Sequence, residues 1–146
     1  MPVTIDIENR QKTVIIHPPN IRRNTRRILK AVGISEAGLS LAFVSDQAIR
    51  SLNRRFLKRD HVTDVLAFDY SDARRRKQGP LHGEIVISAD TAVRQAKIFG
   101  TSVKLELTLY IIHGILHLLG YDDHRPKDIK RMRAKEQKVL KTIDYS

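Results

Sequence analysis

The sequence contains no cysteine and no tryptophan, and only 5% of its residues are aromatic. Without thiols, disulfide staples and thiolate metal sites are excluded. His, Asp and Glu are then the only side chains left to hold a metal ion. So few aromatic rings argue against a surface that reads bases by extensive stacking. No apolar run approaches the roughly 20 residues that span a bilayer. The segment Met1–Arg10 alternates acidic and apolar residues, without the basic start and apolar core of a secretion signal. These absences lead us to expect a cytoplasmic protein with no membrane attachment. Negative charge is scarce as well: 16 Asp and Glu stand against 27 Lys and Arg, for a net charge of +11. Such an excess attracts polyanions, and nucleic acid is the commonest of these in a cytoplasm.

What is present is a strongly periodic chain of 146 residues, 41% of them hydrophobic, which suits a single domain over residues 1–146. Val3 to Ile7 alternates with period two and reads as a half-buried strand. After Pro18-Pro19, Asn20 is placed to cap a helix running to about Val32. On that helix Ile21, Ile28, Leu29 and Val32 share one side, and Arg22, Arg23, Arg26, Arg27 and Lys30 form a wholly basic stripe on the other. Leu39 to Val44 reads as a second strand. Ser45-Asp46 then caps a short helix to about Phe56, with Arg50, Arg54 and Arg55 outward. Val62 to Phe68 and Glu84 to Ser88 read as an antiparallel pair around a polar loop that contains Arg74, Arg75, Arg76 and Lys77. Asp90 begins a helix that Gly100 closes. Ser102 caps a very apolar helix to Leu119, stopped by Gly120, and a basic amphipathic helix follows from about Pro126 to Leu140. The expectation is an α+β fold, a small mixed β-sheet packed by helices with the 102–119 helix central.

That central helix carries His113 and His117. Residues four apart on a helix are separated by roughly 6 Å of rise and 40° of rotation, so both rings leave one face and can share an ion. Gly120 stops the helix and lets the chain return, bringing Asp122, Asp123 and His124 back towards the pair. A third ligand from that turn would complete a three-ligand site with a position left open for water, the arrangement from which a metal ion generates hydroxide near neutral pH. Two histidines in an otherwise apolar helix are costly unless something occupies them. The segment is similar to the zinc-protease pattern H-E-x-x-H-x-x-G-x-x-H. Gly114 stands where a protease needs its general-base Glu, which disfavours a peptidase. Glu106, seven residues before His113, lies on nearly the same face. It is placed either to orient a ligand ring or to form an ion pair near the helix start, and Tyr121 and Asp122 are expected to shape the turn.

His113-Gly114-Ile115-Leu116-His117-Leu118-Leu119-Gly120-Tyr121-Asp122 resembles the signature of the YbeY-type rRNA maturation factors. Leu52-Asn53-Arg54-Arg55-Phe56, Thr63-Asp64-Val65-Leu66-Ala67-Phe68 and Gly83-Glu84-Ile85-Val86-Ile87 are similar to that family's other blocks, over roughly residues 41–140. The resemblance implies a metal-dependent, single-strand-directed endoribonuclease. Its implied roles are rRNA 3′-end maturation and ribosome quality control, with ribosomal RNA and the small ribosomal subunit as partners and one divalent ion, zinc foremost, as cofactor. Two departures stand out. The family's third His falls on Asp123, with His124 one residue later. Met132 and Glu136 keep the family's downstream register when counted from Asp123, which makes Asp123 the first choice as third ligand and His124 the alternative. The family's Arg after the aromatic residue is Leu57 here, and Arg59 is the candidate to contact phosphate in its place, through a guanidinium able to bind it bidentately. His113, His117 and Arg59 are thus the expected catalytic set. The expected RNA-binding residues are Arg22, Arg23, Arg26, Arg27 and Lys30, with Arg74, Arg75, Arg76 and Lys77. Two other readings stay open: a metal-bound RNA-binding assembly factor without turnover, and an atypical metallopeptidase.

Overall fold

The computed structural model describes residues 3–71 and 79–143; the loop residues Arg74, Arg75, Arg76 and Lys77 lie outside them. Four strands, β1 (Val3–Asn9), β2 (Ala37–Val44), β3 (Val65–Asp69) and β4 (Leu81–Ser88), form one sheet in the order β1-β2-β4-β3. β1 pairs parallel with β2, β2 parallel with β4, and β3 antiparallel with β4. Parallel neighbours need long crossovers. Helix α1 (Pro18–Ala31) lies in the first, and α2 (Asp46–Leu57) with β3 in the second. Helices α3 (Ala89–Phe99), α4 (Val103–Leu118) and α5 (Pro126–Leu140) complete the mixed α+β architecture that the hydrophobic periods implied.

The pleat of β2 sorts the two faces of the sheet. Leu39, Leu41 and Phe43 join the main core with Ile28 and Leu29 of α1, Ile85 and Ile87 of β4, and Ile112, Ile115 and Leu116 of α4. Ala42 and Val44 pack on the other side with Ile49 of α2, Leu66 and Val86. Helix α4 contacts β3, β4, α1, α3 and α5, so it is covered on most sides. A helix so enclosed has no solvent stripe to keep polar, and its sequence is accordingly apolar nearly all round. It packs closely on β4 at Gly114, where a Cβ would stand 2.7 Å from Cγ2 of Ile85. The absent Glu of the protease pattern therefore has a packing reason: position 114 faces β4.

Several boundaries differ from those read in the sequence; strands β2 and β4, for instance, start earlier, at Ala37 and Leu81. Helix α1 starts at Pro18 with His17 at the N-cap and no side-chain cap bond. The two prolines occupy positions whose N–H groups have no helical partner anyway, so Asn20 sits inside the helix and not before it. Strand β3 begins at Val65, not Val62, because the 61–64 segment runs along a cleft beside the sheet edge. Helix α3 begins at Ala89, with the Ser88 hydroxyl accepting from the Thr91 N–H. The carboxylate of Asp90 instead accepts from the Asp46 N–H and the Thr13 hydroxyl. Asp46 in turn accepts from Ser88, Thr91 and Arg94, which clamps the starts of α2 and α3 together. Burial opposes ionisation of Asp46, but these hydrogen bonds and the Arg94 charge outweigh it and hold its carboxyl below the usual range. The caps expected at Ser45 and Ser102 are present, accepting from Ala48 N–H and Leu105 N–H. Among the described residues no helix is long and apolar enough to cross a membrane.

Candidate metal centre

His113 and His117 project from α4 into a cleft of about 450 Å³ at the β3 edge. Their Nε2 atoms stand 3.0 Å apart. Gly120 ends the helix with φ +96°, in the left-handed region that costs glycine little. The chain turns there and brings Oδ2 of Asp123 to 3.4 Å from His113 Nε2 and 3.5 Å from His117 Nε2. Asp122 tightens the turn by accepting from the His124 N–H at 3.0 Å, and the guanidinium of Arg131 lies over the Tyr121 ring. Both residues shape the turn.

The three donor atoms are spaced as one small ion requires. Ligand bonds of 2.0–2.2 Å in a tetrahedron put neighbouring donors about 3.3–3.6 Å apart, against the 3.0, 3.4 and 3.5 Å found here. The alternative third residue, His124, lines the same cleft but stands outside this group of donors: its side chain is 69% exposed and its Nε2 lies 3.4 Å from Asp122 Oδ1. Asp122, Asp123 and His124 form a second, more exposed group of donors that shares Asp123 with the first.

Glu136, one turn beyond Met132 on α5, reaches the far side of His113. Its Oε2 accepts from Nδ1 at 2.6 Å, which fixes the tautomer and leaves the Nε2 lone pair facing His117 and Asp123. Burial disfavours charge on His113, but the Glu136 hydrogen bond and the negative charges of Glu136, Asp64 and Asp123 prevail, and the ring titrates above the ordinary imidazole value. Glu106, by contrast, is buried away from the pair and accepts from the Thr101 hydroxyl and, more distantly, the Tyr110 hydroxyl. The carboxylate that orients the His113 ring is therefore Glu136. Helical spacing left that role open to Glu106 because it takes no account of the roughly 10 Å of rise across seven residues.

The rim of the cleft combines residues from α2, the 58–64 segment and β3. Leu57 and Arg59 both line it. Lys58 ends α2 in the left-handed conformation with φ 59°, and the buried Asn53 holds the following loop. Its backbone carbonyl accepts from the Arg59 N–H and its side-chain amide donates to the His61 carbonyl. Asp64 also lines the cleft, and the Ser88 N–H donates to its carbonyl. Asn53 and Asp64 were visible in the sequence only as parts of the family-like blocks; nothing in local spacing marks them as neighbours of His113.

The basic stripe of α1 is elsewhere. Arg22, Arg23, Arg26, Arg27 and Lys30 are all exposed, but Arg22 and Arg26 donate to the carbonyls of Ile5 and Val3 on β1, the opposite edge strand of the sheet.

The family model described as Endoribonuclease YbeY matches residues 6–144. The protein of that name from Syntrophus aciditrophicus is 39% identical, over 96% of this chain and 89% of its own length. The one from Geobacter metallireducens is 36% identical, over 96% and 95%. The Myxococcus xanthus protein of that name is 47% identical over 79% of this chain, which spans only 40% of that relative's length; for the Anaeromyxobacter dehalogenans relative the share is 62%. The solution structure of a Thermotoga maritima protein is similar with a TM-score of 0.62 and 25% identity, over 95% of this chain and 88% of that one. Fold, motif and length of match agree: the chain belongs to the endoribonuclease YbeY family.

Proposed function

We propose that this chain is a metal-dependent endoribonuclease that cuts single-stranded RNA. Its substrate in this reading is ribosomal RNA, matured at its 3′ end and checked for quality on the small ribosomal subunit in the cytoplasm. The observation that carries the reading is the convergence of His113, His117 and Asp123 at the floor of an open cleft. These three residues hold the ion, for which zinc is the first candidate. When bound there, a divalent ion supplies Lewis acidity towards a phosphodiester and acidifies water. The protein's own residues do the rest. Glu136 keeps the His113 ring turned so that Nε2 is the donor. Arg59, on a loop braced by Asn53, gathers the phosphate at the cleft rim, and the exposed cations of α1 hold RNA at a distance from the cut.

A second reading, an RNA-bound assembly factor without turnover, is favoured by one observation. Leu57 lines the cleft where the family resemblance expects an Arg, and it leaves the rim less cationic. Incubating an rRNA precursor fragment, its duplex counterpart and casein with the purified chain separates the readings. Cleavage confined to single-stranded RNA is the expected result. RNA binding with every substrate intact gives the assembly-factor reading instead, and casein cleavage would restore a peptidase.

A further inference from the structure

We propose that the site formed by His113, His117 and Asp123 binds manganous ion as well as zinc, and that Asp123 is the residue that admits it. The inference rests on the metal reading above and names the class of ion that the donor set selects. Two imidazole nitrogens and one carboxylate oxygen converge from one side, 3.0 to 3.5 Å apart. No third imidazole belongs to this group: His124 lines the same cleft but pairs instead with Asp122 and Asp123 in a second, more exposed group. The other side opens into the cleft of about 450 Å³, which leaves room for further water ligands. Three donors on one face with several open positions suit an ion that prefers six ligands, whereas a closed tetrahedral cage excludes it.

The order of divalent affinities sharpens the point. Manganese gains least from nitrogen donors and depends most on anionic oxygen, so a carboxylate in the set matters more to it than to zinc. The surroundings add charge of the same sign: Glu136 hydrogen-bonds the back of His113 and Asp64 lines the same cleft. Helix α4 is buried on most sides, so the two histidines are held still and Asp123 alone is carried by a turn.

The test is metal binding by the full chain after chelator treatment, with free manganese followed by electron paramagnetic resonance and zinc added as competitor. The wild-type chain is expected to take up one manganese ion and to release it on addition of one equivalent of zinc. Asp123→His is expected to weaken manganese binding by on the order of tenfold or more while keeping zinc. Asp123→Asn, which keeps the shape and removes the charge, is expected to weaken manganese similarly, and circular dichroism confirms that both variants fold. Zinc uptake without manganese uptake, or manganese bound as tightly by Asp123→His as by the wild type, overturns this inference and leaves the metal centre standing. Uptake of neither ion overturns both.

Discussion

The two edges of the sheet make an instructive contrast. The β3 edge is nearly all chemistry: two histidines from α4, Asp123 from the following turn and Glu136 from α5, arranged around a cleft. The β1 edge is nearly all charge, with the exposed cations of α1 above it. Three strand spacings separate the two edge strands, about 14 Å, and none of the stripe's residues lines the cleft. Part of that stripe also has a plainer duty. An edge strand exposes unpaired carbonyls, and Arg22 and Arg26 satisfy those of Ile5 and Val3. Charge density alone does not identify a binding face; what each cation already touches has to be subtracted first.

The β3 edge is where substitutions are expected to matter most. Glu136→Gln keeps the volume and removes the charge behind His113, and should cost about 10–100-fold in metal affinity and in cleavage rate. Isothermal titration beside single-turnover cleavage checks this. Unchanged affinity would mean that the ring is held by packing alone.

Behind the site, Gly114→Ala places a methyl group against the fully buried Ile85. Overpacking of that kind costs about 1–3 kcal/mol, offset by a helix-propensity gain of about 1 kcal/mol. A net loss is therefore expected in urea unfolding. A neutral or stabilised variant would show that α4 can lift from β4 freely.

The β1 edge should respond differently. Replacing Arg23 and Arg27 with Ala should flatten the salt slope of single-stranded RNA binding by up to about 1.4, at roughly 0.7 per lost phosphate contact. Cleavage of an already bound fragment should be unaffected. Replacing Arg22 and Arg26 should instead lower the unfolding midpoint and leave the slope nearly as it was. If both pairs move the slope equally, the division of labour drawn above is wrong.

Sequence periodicity revealed much of the scaffold: the antiparallel β3–β4 pair, the helices capped by Ser45 and Ser102, and an apolar α4 with both histidines on one face. Its failures have physical causes. Asn20 is a good capping residue, but two prolines just before it can themselves open a helix, so α1 begins earlier. Val62 continues the apolar pattern of β3, yet it precedes the ladder and is partly exposed. Within the site, neighbours supplied by one helix and its turn were legible because spacing determines them. Asn53, Asp64 and Glu136 were not, because they reach the surroundings of His113 from α2, the 58–64 segment and α5, and only tertiary packing brings them together. Glu136 was singled out by register with the family pattern; its contact with His113 required the fold.

The most direct test of a metal-dependent centre on α4 is single-turnover cleavage of an rRNA precursor fragment by metal-loaded wild type, chelator-stripped wild type and His117→Ala, with bound metal quantified in each sample. Cleavage is expected to rise in proportion to bound metal, to disappear on stripping, to return when metal is restored, and to be absent in His117→Ala. Cleavage that persists in the stripped protein or in His117→Ala would place the chemistry somewhere other than the His113–His117–Asp123 centre.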